Sequence, residues 1–250
     1  MKTYVITNLK GGVGKTTTAA NLGYSMAVLG GKRILLVDAD PQSNLTPFFT
    51  KNHGDSGRTI REVFKHPARI KHIIVKSKYE NIDIIKGSVR LKEADAVNEY
   101  ALSEALNHVK DEYDICIIDT RPAIEQITRS ALHTGDVFIT PVLLDKFCRD
   151  NLLLLEDELQ SIEYKKETQW KIFANKVENK WSQRNTYADM VGKHDWQFCE
   201  TCVSKGAVVE NALELYKPVL RHRSRSVVAQ DYMDLAGELL GIEISEVMGV

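Results

Sequence analysis

Residues 8–18 read "NLKGGVGKTTT" and residues 35–42 read "LLVDADPQ". Gly11, Gly12 and Gly14 open backbone conformations closed to other residues, so successive N–H groups can approach an anion closely. Lys15 supplies a point charge suited to β- and γ-phosphates, and the Thr16 hydroxyl stands where it can ligate Mg²⁺. Val13 and Thr17 complete a loop of the kind that holds ATP or ADP. The general pattern asks for glycine at position 9, but this chain has Leu9 followed by Lys10. A phosphate loop with two lysines, Lys10 and Lys15, has one more than a single nucleotide needs.

Three aspartates are candidates to work with that loop. Asp38, Asp40 and Asp119 close apolar runs that read as strands, at the edge where open α/β sheets bind ligands. The run "ICIID" delivers Asp119 as a magnesium-holding carboxylate. A lone aspartate at a strand end is commonly only a helix cap or turn former. Two such ends converging on one phosphate loop favour chemistry for Asp119 and Asp40, and leave Asp38 more open.

These side chains need a scaffold. Segments 3–7, 33–38, 82–85, 113–119, 136–142 and 170–176 read as strands, several as continuous apolar runs suited to a parallel sheet covered on both faces. Segments 16–29, 91–110, 125–133, 146–162 and 226–240 have helical spacing, and "SGRTIREVF" opens a short helix in the irregular stretch 51–80. The alternation predicts a doubly wound α/β fold, mainly parallel, with helices on both faces. No linker or repeat interrupts it, so residues 1–250 are expected to form a single domain. The loop falls between the first strand and the first helix, the context that aims a helix N-terminus at phosphate.

Bulk properties narrow the setting. Lys+Arg 33 against Asp+Glu 34 leaves a formal charge of -1, so any grip on nucleic acid must come from a local patch. Four cysteines in a chain of this length make no disulfide framework. With no leader and no apolar run long enough to span a bilayer, a cytoplasmic location is expected.

The motif x-K-G-G-x-G-K-T, with "VDADPQ" and "ICIID", resembles the deviant Walker A ATPases, a P-loop group that includes ParA/Soj partition proteins, MinD and nitrogenase iron protein. The resemblance implies that Lys10 crosses a homodimer interface to the partner's nucleotide, making ATP the glue between subunits. Two anionic nucleotides face to face do need extra cations. It also implies that Asp40 orients the attacking water, that Asp38 helps complete the magnesium shell, and that Asn175 reads adenine. A turn-forming asparagine after a strand is the other reading of Asn175. Residues 119–122 read "DTRP" where the family commonly has D-T-P-P. Arg121 stays outside the catalytic set: charge stabilisation, response to a partner protein and an inconsequential surface position all remain open.

Within the group, three branches compete. A membrane-cycling branch like MinD needs a basic amphipathic C-terminus, whereas this one carries Asp234, Glu238, Glu243 and Glu246 and no lysine or arginine; no membrane role is expected. An iron–sulfur branch draws on "CETC" at 199–202. However, "WQFCETCV" reads as a strand, which would point Cys199 and Cys202 to opposite faces. Cys116 and Cys148 look like packing residues. The ParA branch draws on "KPVLRHRSRSVVAQDYMDLAG" at 217–237, similar to the C-terminal part of Soj-like proteins, with Tyr232, Asp234, Leu235 and Ala236 in the final-helix pattern. Arg221, Arg223 and Arg225 concentrate positive charge and are the candidate DNA-binding residues, with Lys205 and Lys217 as possible extensions. On this reading the protein is a nucleoid-associated, ATP-dependent dimer that binds DNA without sequence preference. A ParB-like partner stimulates its hydrolysis, and no helix-turn-helix module precedes the loop. The alternative is a MinD/Mrp-like ATPase that positions a protein cargo or carries a cluster at Cys199/Cys202.

Overall fold

In the computed structural model, which describes residues 1–51 and 57–242, seven strands among those residues form one sheet. They are β1 (Lys2–Ile6), β2 (Ile34–Asp38), β3 (Val75–Lys76), β4 (Ile82–Ile85), β5 (Ile115–Asp119), β6 (Val137–Val142) and β7 (Gln169–Ala174). Their spatial order is β3-β4-β2-β5-β1-β6-β7. All neighbours run parallel except β3, which pairs antiparallel with β4 at the edge.

The helices are α1 (Lys15–Gly30), α2 (Thr46–Phe49), α3 (Ile60–Lys65), α4 (Ile70–Ile73), α5 (Ala101–Asn107), α6 (Gln126–Leu132), α7 (Lys146–Gln160), α8 (Trp181–Lys193), α9 (Ala207–Glu214), α10 (Val219–His222) and α11 (Val227–Leu240). They cover both faces of the sheet. Val5, Leu35, Val37 and Ile118 pack on one side with residues of α3, α5, α6 and α7. Tyr4, Ile6, Leu36 and Ile117 pack on the other, under α1 and α11. Every residue of β2 and β5 is buried, which is why "ILLVD" and "ICIID" show no polar alternation. Tyr232, Leu235 and Ala236 are buried on α11 against this second core, so most of that C-terminal pattern is packing.

The six expected strands form, 82–85 at both ends as expected and the others with ends displaced by at most two residues, while the edge strand β3 and helices α8, α9 and α10 fall outside the expected elements. Two expectations fail. The helix expected over 91–110 is broken into a 3₁₀ turn at Glu93–Asp95 and the short α5. Asn98 causes the break: its Oδ1 accepts from Tyr100 N at 3.0 Å, a local turn that competes with helix. The stretch 196–203 runs beside β7 without becoming a full strand, bridging it at Ile172↔Phe198 and beyond its end at Val177↔Ser204. Between the bridges the N–H groups of Glu200 and Thr201 donate to Glu238 of α11 at 2.8 and 2.9 Å, which takes them out of any ladder. Two of the four acidic residues expected in the terminus, Glu243 and Glu246, lie outside the described residues. Among those described, no helix is long and apolar enough to cross a membrane.

Strand register brings the carboxylates together. Ile6, Asp119 and Asp38 are direct partners on β1, β5 and β2, so both aspartates end their strands at one level, beside the exit from β1.

Candidate functional site

The loop between β1 and α1 is held from several sides. Asn8 Nδ2 donates to Pro141 O of β6 at 2.9 Å, and its Oδ1 accepts from Lys10 N at 2.8 Å. Gly12 and Gly14 have φ of 75° and 98°, in the region only glycine enters freely. A Cβ on Gly14 would sit 2.5 Å from Asn175 Nδ2. Lys15 is buried and spans the loop from within, with Nζ donating to Asn8 O at 3.0 Å and Lys10 O at 3.1 Å. Desolvation lowers its pKa, and the negative charges of Asp119 and Asp40 act against that shift. A cationic amine caged by carbonyls beneath a glycine bend is a centre prepared for a polyanion.

Opposite the lysine stand the carboxylates. Asp119 is wholly buried, and neither of its oxygens accepts a hydrogen bond of normal geometry. Burial first, then the Asp38 charge, push its carboxyl well above the ordinary range, while the Thr16 hydroxyl and Lys15 oppose the shift. Asp38 is also fully buried. Its Oδ2 accepts from Thr46 N at 2.8 Å and Thr46 Oγ1 at 2.6 Å, and its Oδ1 has no partner. Burial raises its pKa to about 6 even though the Thr46 bonds lower it. Two adjacent buried carboxylates with unfilled oxygens beside a hydroxyl are a hard donor set that fits Mg²⁺. Among the described residues no three His, Cys, Asp or Glu side chains converge as a metal cage, so the ion would also need phosphate oxygens. Asp40 lies just beyond the end of β2. Its Oδ1 accepts from Gln42 N at 2.8 Å, and it shares a cleft of about 320 Å³ with Gly11, Gly12, Gly14, Lys15, Thr16 and Thr17.

Lys10 does not join Lys15. Its Nζ lies 3.2 Å from Oδ1 of Asp145, the N-cap of α7, and 5.7 Å from the centroid of the exposed Phe147 ring. Desolvation works against its charge, but hydrogen bonds to Cys148 and Asp145 outweigh that and hold its pKa above the ordinary lysine value. Arg121 is also engaged, bonded to Glu93 Oε1 at 2.7 Å and Glu125 Oε2 at 3.2 Å. Glu93 uses its other oxygen to accept from Ile127 N at the start of α6. Arg121 therefore ties the segment after β5 to the 93–95 turn.

Asn175, at the end of β7, is buried and turned toward the loop. Its Nδ2 donates to Val13 O at 2.7 Å, and its Oδ1 accepts from Lys176 N at 2.9 Å. Beside it a second cavity of about 160 Å³, lined by Thr17, Asn175, Val203, Val209, Leu213 and Tyr232 among others, is largely apolar and suits a flat heteroaromatic ring. Sequence reasoning missed four residues that shape this site: Asn8, Asp145, Thr46 and Lys176. Asn8 stands in the quoted motif and Asp145 caps α7, but the partners that tie Asp145, Thr46 and Lys176 to the site lie 135, 8 and 164 residues earlier in the chain.

The remaining candidates fall elsewhere. Arg221, Arg223 and Arg225 are all exposed, on and just after α10. Lys78 lies near Lys217 and Lys51, and desolvation first, then their repulsion, lowers its pKa. Lys78 is fixed between those neighbours: its N donates to Phe49 O at 2.9 Å and its Nζ to Tyr216 O at 3.2 Å. Lys205 is instead paired with Glu178 at 3.4 Å and lines the apolar cavity. Cys199 packs into the core under α1 and α11, whereas Cys202 packs against the opposite core, so the pair is divided between the two faces. Cys116 and Cys148 are buried.

Known proteins share this arrangement of loop and sheet. Residues 1–172 match the family described as "AAA domain". The chain is 30% identical to the sporulation initiation inhibitor protein Soj of Bacillus subtilis, over 95% of this chain and 98% of that one. It is 28% identical to a virulence plasmid ParA family protein of Chlamydia psittaci, over 96% and 94%. Among solved structures, the ATP complex of an McdA variant from Cyanothece superposes with a TM-score of 0.82 at 23% identity, covering 97% of both chains.

Proposed function

This chain belongs to the ParA/Soj family of P-loop ATPases, and from that premise we propose that it is an ATP-switched dimer that carries a plasmid or chromosome region over nonspecific DNA. The observation that carries the reading is the division of labour between the two lysines. Lys15 is caged inside its own loop, while Lys10 rests at the surface on a pair it can leave. In the proposed cycle Gly11 to Thr17 hold the phosphates of ATP. Thr16, Asp38 and Asp119 would hold Mg²⁺, whose charge would offset that of the phosphates. Lys10 moves from Asp145 to the nucleotide of a second subunit. Asp40, poised on the same cleft, orients the water that attacks the terminal phosphate. Positioning and charge compensation, rather than covalent chemistry, accelerate such a transfer.

The DNA reading rests on Arg221, Arg223 and Arg225, with Lys217 four residues before them in the chain; the fold sets Lys78 near Lys217 and Lys51. In a two-fold dimer the three arginines occur twice, and neutralising about six phosphates gives a log–log salt slope of roughly −5. A ParB-like partner would stimulate hydrolysis and release the dimer, in a cytoplasmic, nucleoid-associated cycle. The separation of Cys199 from Cys202 gives an iron–sulfur role no support.

The test is binding to random-sequence duplex DNA with ATP, ADP or no nucleotide, over a salt series, with dimer fraction from light scattering. ATP-dependent dimerisation with steeply salt-sensitive binding is expected. Dimerisation without DNA binding would overturn the DNA half of the proposal and redirect the search to a protein cargo.

A further inference from the structure

A peptide unit is planar and trans, so its C=O and the following N–H point in opposite directions. Whatever fixes the carbonyl in one direction therefore aims the next amide the opposite way. Two carbonyls of the glycine bend are fixed in this way. Asn175 Nδ2 takes Val13 O at 2.7 Å, and Lys176 Nζ takes Gly12 O at 3.0 Å. The amides that follow, those of Gly14 and Val13, are thereby held pointing away from Asn175 and Lys176, and Gly14 itself lines the phosphate cleft.

Adjacent strand residues ordinarily point to opposite faces, so two consecutive side chains should not reach one loop. Here Lys176 has φ 54°, a left-handed conformation unusual for a residue with a Cβ. This turn ends β7 and brings both side chains onto the same three-residue bend. The Asn175 orientation is set by its own bonds, since Oδ1 accepts from Lys176 N while Nδ2 donates to Val13 O. Lys176 borders both the phosphate cleft and the apolar cavity, at the seam between them.

We propose that Asn175 and Lys176 are positioning residues, a two-point clamp that pre-aims the Val13 and Gly14 amides at the phosphates before nucleotide arrives. The inference rests on nucleotide binding in this cleft but needs neither DNA nor a partner protein. It also gives Asn175 a task other than reading adenine, because one of its two amide hydrogens and its oxygen are already engaged with the chain itself.

The experiment follows the Val13 and Gly14 amide resonances in the full chain, titrated with ADP and with inorganic pyrophosphate, which has no base. Lys176→Gly relieves the left-handed backbone and so preserves the fold while deleting the Nζ contact; Asn175→Ala is the companion variant. In Lys176→Gly the apo Val13 resonance should move. ADP and pyrophosphate should weaken by the same factor, about fivefold for one hydrogen bond. Asn175→Ala should move the apo Gly14 resonance likewise. Loss for ADP alone would mean a base contact and overturn the clamp. An unmoved apo Val13 resonance with weaker binding of both would mean direct contact between Lys176 and phosphate, and would also overturn it. Unchanged affinities would do the same. If the parent protein bound neither probe, the nucleotide reading itself would fall, and the clamp with it.

Discussion

The Lys10–Asp145 pair makes the dimer switch quantitative. If Lys10 must leave Asp145 to reach a second subunit, every subunit gives up that pair on dimerising. The two side chains are 26% and 40% exposed, and a pair this open contributes about 0.5–1 kcal/mol. Asp145→Asn removes the charge while keeping an N-cap acceptor for Cys148 N, now at 2.8 Å, so α7 should retain its start. Two subunits release about 1–2 kcal/mol in total, which tightens the ATP-dependent dimer roughly 5–30-fold. The contact with Phe147 remains in this variant, so the effect isolates the ion pair. Sedimentation with a slowly hydrolysed ATP analogue measures the dimer constant, and the gain should shrink as salt screens the parent pair. The control is the same substitution in a Lys10→Ala background, where it should have no effect. A dimer that is unchanged or weaker in Asp145→Asn, or an equal gain without Lys10, would refute the idea that Asp145 holds Lys10 in reserve.

Gly14→Ala forces a Cβ into a φ of 98° and to within 2.5 Å of Asn175 Nδ2. It should cost about 1–2 kcal/mol, lowering Tm by roughly 2–8 °C, and remove nucleotide binding as judged by calorimetry. Asp40→Ala should slow ATP hydrolysis about 100-fold or more in a phosphate-release assay while dimers persist on ATP; normal turnover would take Asp40 out of the mechanism. For Asp38, the folded pKa of about 6 lies above its ordinary value of 3.8, so the apo fold binds that proton more tightly than the unfolded chain. Stability from this group is present at low pH and lost as pH rises from about 4 to 6. Asp38→Asn should therefore be more stable than the parent at pH 7 by up to about 3 kcal/mol, with the two converging near pH 4 in urea unfolding. Magnesium and ADP should narrow the gap at pH 7 by favouring the ionised parent.

Motifs whose chemistry depends on neighbours within a few residues were legible from the chain. The glycine bend, Lys15, Thr16 and the apolar strands that end at Asp38 and Asp119 are all local patterns, because backbone freedom, helix start and strand burial act over short ranges. Their convergence was legible too, since a parallel sheet places strand ends at one edge. Irregular pairing was not. The helix expected at 91–110 yields to an Asn98 side-chain turn, and the 196–203 strand yields to a glutamate on a distant helix. Only the tertiary structure decided where the polar side chains go: Lys10 to Asp145, Arg121 to Glu93, Asn175 and Lys176 to the glycine bend, and Lys78 beside Lys217. Those partners lie 28 to 164 residues apart wherever a bond joins them. A hydrogen bond needs atoms within about 3 Å, and no pattern along the chain encodes which distant atoms the fold will bring that close.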